Sequence, residues 1–217
     1  MSQADRDRWN NKYAAISPRD DSVGRGDAIR GVQTLVDPWL ASRVTRQAAT
    51  STGPVPRALE LACGLGQTAI YLAQCGYRVD AVDVSAVALT QAARAADAAG
   101  VAVRWIEADL DDWRPERAAY DLIVVQRFLD RTRLPEIIPW ALKAGGELVY
   151  STFTRDSASG PGNPAFLLER GELRQLYATL EPLEESSSPP PDCLARFHAR
   201  SRNEPRTAGP ACGPLDG

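Results

Sequence analysis

Short apolar runs alternate with helix-forming segments along most of the chain. Five runs have the length and apolar content of strands that are covered on both faces. They are residues 58–62, 77–82, 101–108, 120–126 and 147–153. The helix-forming segments between them are residues 67–75, 85–99 and 135–143. This alternation is typical of a doubly wound, mostly parallel α/β sheet with helices on both faces.

Two further runs, residues 180–185 and 193–200, are shorter and more polar than the first five. A Ser- and Pro-rich connection, residues 186–191, joins them. A short connection of this kind favours an antiparallel pair. We therefore predict a seven-stranded, Rossmann-like sheet whose last two strands are antiparallel.

Proline and glycine predict several boundaries. Pro139 lies within the segment 135–143 and removes a helical hydrogen bond, which costs about 3 kcal/mol, so the helix is expected to start or kink there. Residues 144–146 (Ala-Gly-Gly) predict a turn into the fifth strand. The polar residues 154–164 predict a loop, either a wall of a substrate pocket or an ordinary connection, before a helix at 172–180.

The ends of the chain are polar. Residues 5–13 predict a short helix, residues 17–31 a polar loop, and residues 37–47 a helix begun by Asp37 and Pro38. The last part of the chain is charged and then rich in Pro, Gly and Ala, which predicts a disordered tail. The expected organisation is one domain over residues 1–200 with the tail at 201–217.

A glycine turn, Gly64-Leu65-Gly66, connects the first strand to the helix that follows it. Glycine allows the backbone to approach a ligand closely, and the N-terminus of the helix offers free N–H groups. The second strand then ends in Asp83, whose carboxylate can accept hydrogen bonds from both hydroxyls of a ribose. The pattern predicts the nucleotide-binding half of a doubly wound sheet.

Two classes of cofactor use this layout. Gly64-x-Gly66-x-x-Ala69 fits the dinucleotide fingerprint, which is weak on its own. The longer string from Glu60 to Gly66 (ELACGLG) resembles motif I of class I S-adenosylmethionine (SAM) methyltransferases, in which an acid closes the first strand and the glycines pass under the methionine part of SAM. Asp83-Val84-Ser85 resembles the acidic loop that holds the ribose. The alternative is a helix-packing turn that binds nothing.

A second acid, Asp109, follows the third strand and precedes Leu110. In class I methyltransferases the matching position accepts a hydrogen bond from the adenine amino group, which favours SAM over NAD. Asp109 could otherwise be a plain helix cap or loop residue. The resemblance implies one set of cofactor-binding residues: Glu60, Ala62, Gly64, Gly66, Asp83, Val84, Asp109, Leu110, Gln126, Trp9 and Tyr13.

Trp9 and Tyr13 lie four residues apart and share one face of the predicted N-terminal helix. A Trp-x-x-Lys/Arg-aromatic start is similar to that of small-molecule methyltransferases of the tellurite-resistance and thiopurine types. The resemblance implies that residues 1–50 form a helical cover over the cofactor. Simple packing on the domain is the alternative.

Methyl transfer from a sulfonium is an in-line displacement in which the protein mainly positions the reactants. No base is required if the nucleophile arrives ionised, and the weak candidates for a catalytic role are Arg127, Asp130 and Tyr13, with Glu60 as a further possible base. The single histidine, His198, is expected at the surface of the tail. Arg127 and Arg131 are expected either to hold an anionic substrate or to be solvated or paired with Asp130 and Glu136.

Composition narrows the class of partner. The chain has 217 residues, of which 44% are hydrophobic, enough for one globular domain with its own core. Its net charge of −3 argues against a nucleic-acid partner. No run is long enough to span a membrane, and the polar N-terminus does not resemble a signal peptide. The four cysteines lack metal-ligand spacing, so no metal is expected, and reduced cysteines indicate a cytoplasmic protein.

The expected activity is therefore methyl transfer from SAM to a small-molecule nucleophile, such as a thiol, a chalcogen oxyanion or another heteroatom. The sequence after the fourth strand, Gln126-Arg127-Phe128-Leu129, lacks the Asn/Asp-Pro-Pro-aromatic motif of DNA amino-methyltransferases. It also lacks the proline-cysteine pair of cytosine C5 enzymes. A protein methyltransferase, a non-catalytic SAM-binding module and an NAD-dependent reductase are the alternatives.

Overall fold

A seven-stranded sheet in the order β3-β2-β1-β4-β5-β7-β6 forms the centre of the computed structural model, which describes residues 3–15, 36–50 and 54–202. The strands are β1 (Arg57–Leu61), β2 (Arg78–Asp83), β3 (Val103–Glu107), β4 (Tyr120–Gln126), β5 (Leu142–Phe153), β6 (Glu181–Ser187) and β7 (Leu194–Arg200). Strands β1 to β5 are parallel, whereas β7 is antiparallel to both β5 and β6. The predicted seven-stranded, doubly wound sheet is confirmed.

Helices cover both faces of the sheet. They are α1 (Gln3–Ala14), α2 (Pro38–Thr50), α3 (Gln67–Gln74), α4 (Ala86–Ala99), α5 (Arg133–Ala141) and α6 (Glu172–Leu176), with a short 3-10 helix at Pro164–Phe166. One apolar core joins residues of α2, α3 and α4 to the sheet, and a second core joins α5 and α6 to the opposite face. Because both faces are buried, the central strands are almost wholly apolar.

Capping residues fix the helices that flank the nucleotide-binding half. The Ser85 hydroxyl accepts a hydrogen bond from the Ala88 N–H at 3.2 Å and begins α4, which ends at Gly100 in the left-handed conformation. Gly76, with a φ of +89°, follows α3 as predicted. The carboxyl ends of β1 and β2 lie side by side because the two strands pair in parallel.

The structure corrects three predicted boundaries. Helix α5 begins at Arg133 and contains Pro139, so a helix start at Pro139 is wrong. The backbone hydrogen bond that Pro139 cannot donate falls near the end of the helix, and four buried apolar side chains hold the helix on the sheet. The predicted turn at 144–146 lies within β5, which begins at Leu142 rather than at residue 147. Helix α6 ends at Leu176, four residues before the predicted end.

The last two strands form where they were predicted, and β6 is polar because it lies at the sheet edge. Edge strands rich in charge avoid pairing with other chains. Its Glu184 accepts a hydrogen bond from the Trp39 indole N–H at 2.8 Å and pairs with Arg43, so α2 is attached to this edge.

Helix α2 begins at Pro38 as predicted, because the Asp37 carboxylate accepts a hydrogen bond from the Trp39 N–H at 2.8 Å. The predicted loop at 17–31 and most of the predicted tail lie outside the described residues. Within the described part of the chain, no helix has both the length and the apolar character needed to cross a membrane.

Candidate active site

A cleft of about 780 Å³ opens at the carboxyl ends of β1 and β4, where the strand order reverses. Open α/β sheets bind their ligands at this position. The cofactor residues predicted from the sequence that line it are Trp9, Tyr13, Glu60, Ala62, Gly64, Asp83, Val84, Leu110 and Gln126. Gly66 and Asp109 are not in the lining.

The two glycines of the turn meet different neighbours. Gly64 has a φ of +53°, and a Cβ placed there would lie 2.7 Å from the Tyr13 hydroxyl. Gly66 has a φ of +72°, and a Cβ there would lie 2.4 Å from the Trp105 ring. Gly64 therefore permits close approach within the cleft, whereas Gly66 permits the packing of α3 against β3.

The Asp83 carboxylate shapes the turn and faces the cleft. It accepts hydrogen bonds from the Gly64 N–H at 2.8 Å and the Ser85 N–H at 2.9 Å, one on each oxygen. Burial raises the pKa of Asp83, and these backbone hydrogen bonds oppose the rise. Each oxygen has a second lone pair, so the carboxylate can also accept hydrogen bonds from a ligand.

The Glu60 side chain is buried beneath the N-terminus of α3. Burial raises its pKa to about 8, against hydrogen bonds from the Ala69 N–H and the Thr68 hydroxyl. Its Oε2 atom is buried and has no hydrogen-bond partner among the described residues. An unpartnered carboxyl oxygen in a cleft is suited to a cationic ligand group, which would supply the missing partner.

Helix α1 lies over the cleft and is attached to α4. The Ser85 hydroxyl donates to Asn10 Oδ1 at 2.7 Å, and the Gln91 amide donates to the Tyr13 carbonyl at 3.0 Å. Trp9 and Tyr13 stack with ring centroids 5.9 Å apart, and Lys12 Nζ lies 4.4 Å from the Trp9 centroid. Helix α1 therefore presents two aromatic rings and a cation to the cleft.

The Tyr13 phenol lies among acidic groups. Burial raises its pKa, and the nearby Asp83, Cys63 and Glu60 raise it further. The phenol is therefore a hydrogen-bond donor at neutral pH and not a ready base.

Of the two residues expected at the adenine, Asp109 and Leu110, only Leu110 lines the cleft. Leu110 is buried and lines the cleft. The Asp109 carboxylate accepts a hydrogen bond from the Asp111 N–H at 3.0 Å and lies outside the lining.

The opposite wall of the cleft comes from β4, β5 and β7. Arg127, which follows β4, has a φ of +52° and lies over the Phe153 ring with its guanidinium carbon 6.0 Å from the centroid. Arg196 of β7 also lines the cleft, and its Nη2 atom donates to both oxygens of Asp37 at 3.1 and 3.0 Å. Of the predicted loop at residues 154–164, Ser159, Gly160 and Pro161 belong to the lining.

Two of the charged residues expected near the cleft have other contacts. The Asp130 carboxylate accepts hydrogen bonds from the Thr132 and Leu134 N–H groups at 2.9 and 3.1 Å and so caps α5, outside the lining. Arg131 pairs with Glu172, so the expected pairing of Arg131 with Asp130 or Glu136 is wrong.

His198 is not the surface residue that the sequence predicted. It lies in β7, is 7% exposed, and its Nε2 atom is 2.6 Å from Glu147 Oε2. Glu147 also accepts hydrogen bonds from Arg200. The expectation failed because β7 lies between β5 and β6, which covers both sides of the strand, and a local pattern does not show that. His198 does not line the cleft.

Arg196 and Lys12 also line the cleft and were not among the candidates from the sequence. The only signal for Lys12 was its place between Trp9 and Tyr13. No signal in the sequence pointed to Arg196, because its position depends on the pairing of β7 with β5.

Residues 58–146, which include the glycine turn and both acidic strand ends, match a family model described as a methyltransferase domain. This part of the chain is a methyltransferase domain. The resemblance drawn from motif I and the acidic loop is thereby confirmed. This domain contains the carboxyl ends of β1, β2 and β4, which form the floor of the cleft.

One curated relative matches the chain in sequence. A protein-L-isoaspartate O-methyltransferase from Methylorubrum populi is 36% identical over 118 residues. The match covers 54% of this chain and 53% of that protein, so the chain spans about half the length of the curated relative that it matches.

Two solved structures show the same fold. Magnesium protoporphyrin IX methyltransferase from Synechocystis, with bound SAM, aligns over 91% of this chain and 95% of its own, with a TM-score of 0.62 and 17% identity. TehB from Haemophilus influenzae aligns over 74% of this chain and 62% of its own, with a TM-score of 0.58 and 21% identity.

Proposed function

We propose that this chain transfers the methyl group of SAM to a small-molecule nucleophile bound in the same cleft. The observation that carries the proposal is the unpartnered Oε2 atom of Glu60, a buried carboxyl oxygen of a residue that lines the cleft beside the glycine turn. A buried carboxyl oxygen without a partner is costly unless a ligand satisfies it. The amino group of SAM is a cation of the kind that this oxygen would bind.

We assign each of the remaining cofactor-site residues to one part of SAM or to the acceptor. Asp83 would hold the ribose hydroxyls, and Val84 and Leu110 would pack against the adenine. Ala62 and Gly64 leave room for the methionine part, and Gln126 lies at the boundary with the acceptor. Trp9 and Tyr13 would cover the cofactor from α1. Gly66 would act through the packing of α3, and Asp109, outside the lining, could reach the adenine only from the rim.

SAM, when bound, supplies a methyl group on a sulfonium, a leaving group that is already activated. The chain then has to position the acceptor and exclude water, which are the contributions that its rigid strand ends and α1 can make. Of the three catalytic candidates, Arg127 is the one with a positive charge. Its side chain lines the cleft, lies over the Phe153 ring and has no ion-pair partner among the described residues. Tyr13 is a donor, and Asp130 supports α5.

The affinity for SAM should rise with pH between about 6 and 7.5. The pKa of Glu60 without ligand is about 8, so the carboxyl must lose a proton to pair with the cofactor's ammonium group. Below that pKa the affinity should increase by up to about tenfold per pH unit, before the ammonium group itself deprotonates at about 7.7–8.0. Calorimetry in buffers of different ionisation enthalpy would measure the proton released.

Glu60→Gln is the matched variant, because it keeps the shape and the hydrogen-bond acceptor while removing the titration. Its SAM affinity should be weaker and nearly independent of pH over the same range. An identical pH dependence in the wild type and in Glu60→Gln would show that another group is responsible.

The function itself is tested in two steps. Purified protein should bind SAM and not NADH, which separates a methyltransferase from a reductase. Labelled SAM should then transfer its methyl group to members of a small-molecule panel and not to proteins. Transfer to an isoaspartyl peptide would favour a protein acceptor, in line with the name of the curated relative. Binding of SAM without transfer to any acceptor would favour a non-catalytic module.

The wider organisation belongs to the same proposal. Residues 1–200 would form one domain in which residues 1–50 act as the cover, followed by a tail at residues 201–217. No metal ion, nucleic acid or membrane is needed for the reaction, and the protein acts in the cytoplasm. These statements rest on the sequence and on the position of α1 over the cleft.

A further inference from the structure

Three side chains stand in one row across neighbouring strands at the wall of the cleft opposite α1. Gln126 of β4 pairs with Ser151 of β5, and Ser151 pairs with Arg196 of β7. Residues paired across adjacent strands point to the same face, and their backbones are about 4.8 Å apart. Gln126 and Arg196 both line the cleft, with backbones about 10 Å apart by this spacing.

The two ends of the row have unused donors. Gln126 Nε2 and Arg196 Nε are buried and have no hydrogen-bond partner among the described residues. Arg196 is held in place by its bonds to Asp37. Buried donors are normally satisfied, so two of them on one wall indicate an acceptor that is brought by a ligand.

Arg127 adds a full positive charge beside this row. Its side chain is exposed and lines the cleft, and its guanidinium lies over the Phe153 ring. Its φ of +52° is unfavourable for a residue with a side chain. Strain of this kind persists where the surrounding structure enforces it, and it is concentrated at functional sites.

Each acidic side chain that the structure describes on this wall already has an ion-pair or hydrogen-bond partner. Asp37 pairs with Arg196, and Asp192 accepts a hydrogen bond from the Ser159 hydroxyl at 2.7 Å. Glu60 and Asp83 lie at the glycine turn, which the proposed function gives to the cofactor. The acceptor should therefore arrive as a nucleophile that needs no deprotonation.

We infer that the acceptor is a small carboxylate with an apolar body, held through its oxygens by Arg127, Gln126 and Arg196. This inference rests on the proposed function. A guanidinium and an amide are well suited to a carboxylate, since both offer N–H donors in a plane. Phe128, Phe153, Pro161 and Leu194 line the same part of the cleft and offer an apolar surface for the rest of the molecule.

The chemistry balances without a base. One oxygen of the carboxylate forms the new O–CH₃ bond with its own lone pair. The S–CH₃ bond breaks, and its electron pair stays on sulfur. The carboxylate loses its negative charge and the sulfonium its positive charge, so the products are a neutral methyl ester and S-adenosylhomocysteine. No proton is transferred in the step.

The test is binding of matched ligands to the full chain in the presence of S-adenosylhomocysteine. The probes are benzoate, phenylacetate, 3-phenylpropanoate and octanoate, each compared with its primary amide by calorimetry. Carboxylates of this set should bind at least about tenfold more tightly than their amides, the difference expected for charge-assisted hydrogen bonds. With labelled SAM, the product should be an ester that releases methanol in base.

Arg127→Gly removes the guanidinium and suits a φ of +52°, so the protein should stay folded. It should lose about tenfold to 100-fold in carboxylate affinity and bind S-adenosylhomocysteine as the wild type does. Ala118→Gly is the control, because Ala118 has a φ of +47° at an exposed site outside the cleft lining. This variant should change neither affinity.

Three results would overturn the inference: equal binding of carboxylates and amides, wild-type affinity in Arg127→Gly, or no carboxylate binding by protein that binds S-adenosylhomocysteine. Each leaves the proposed function intact. Failure to bind S-adenosylhomocysteine would instead contradict the proposed function itself.

Discussion

Gly64→Val is expected to abolish SAM binding while the sheet stays folded. A side chain at this position would lie 2.7 Å from the Tyr13 hydroxyl, inside the cleft, and valine disfavours a φ of +53°. The turn would have to move away from Asp83, whose hydrogen bond with the Gly64 N–H is 2.8 Å long. We expect the affinity to fall by at least about 100-fold, measured by calorimetry, which corresponds to about 2.7 kcal/mol.

Gly100→Val is the matched control. Gly100 has a similar φ of +70°, but a Cβ there meets nothing within 4 Å. This variant should lose about 1–2 kcal/mol of stability through backbone strain and bind SAM normally. If folded Gly64→Val also bound SAM normally, the turn would be only a packing feature. A partial recovery in Gly64→Ala combined with Tyr13→Phe, which removes the close contact, would show that α1 and the turn meet in solution.

Removal of residues 1–15 should reduce methyl transfer by at least about tenfold and cost much less in stability. Helix α1 supplies Trp9, Lys12 and Tyr13 to the cleft, whereas the two apolar cores consist of residues from Val36 onward. Its links to α4 and β3 include Asn10 with the Ser85 hydroxyl and the Val87 N–H, Gln91 with the Tyr13 carbonyl, and Arg6 with Glu107. Partly exposed bonds of this kind contribute about 0.5–1.5 kcal/mol each.

Denaturant unfolding and turnover of the truncated protein separate the two interpretations of α1. Loss of the whole fold would show that α1 is mainly a packing element, and full turnover would contradict the cover. A finer comparison uses Trp9→Ala against Asn11→Ala, since Asn11 is exposed on the same helix and does not line the cleft. Only the first should lower turnover. Hydrogen exchange of α1 should also slow when SAM is added.

Much of the fold follows from local patterns in the sequence. The strand Tyr120–Gln126 and the helix from Ala86 to Ala99 lie where apolar runs and caps predicted them. Asp83 and the glycine turn could be linked in advance because the strand-turn-helix-strand-acid pattern fixes their distance in space. Pro139 misled the prediction, because one lost hydrogen bond near a helix end costs less than buried packing contributes.

Contacts between distant parts of the chain were beyond local patterns. The positions of His198 and Arg196 depend on β7 inserting between β5 and β6. The side chain of Arg196 is then set by Asp37, 159 residues earlier in the chain. The different neighbours of Gly64 and Gly66 likewise depend on Tyr13 and Trp105, which come from separate elements. Sequence alone gave both glycines the same role.

The central claim is that SAM binds in the cleft with its ribose on Asp83, and calorimetry of SAM against the wild type and Asp83→Ala tests it most directly. Asp130→Ala is the control, since Asp130 also accepts backbone hydrogen bonds but lies outside the lining. Circular dichroism would confirm that both variants are folded. The account predicts that Asp83→Ala loses about 1.5–3 kcal/mol of binding free energy and that Asp130→Ala loses none. Unchanged SAM affinity in folded Asp83→Ala, or no SAM binding by the wild type, would contradict it.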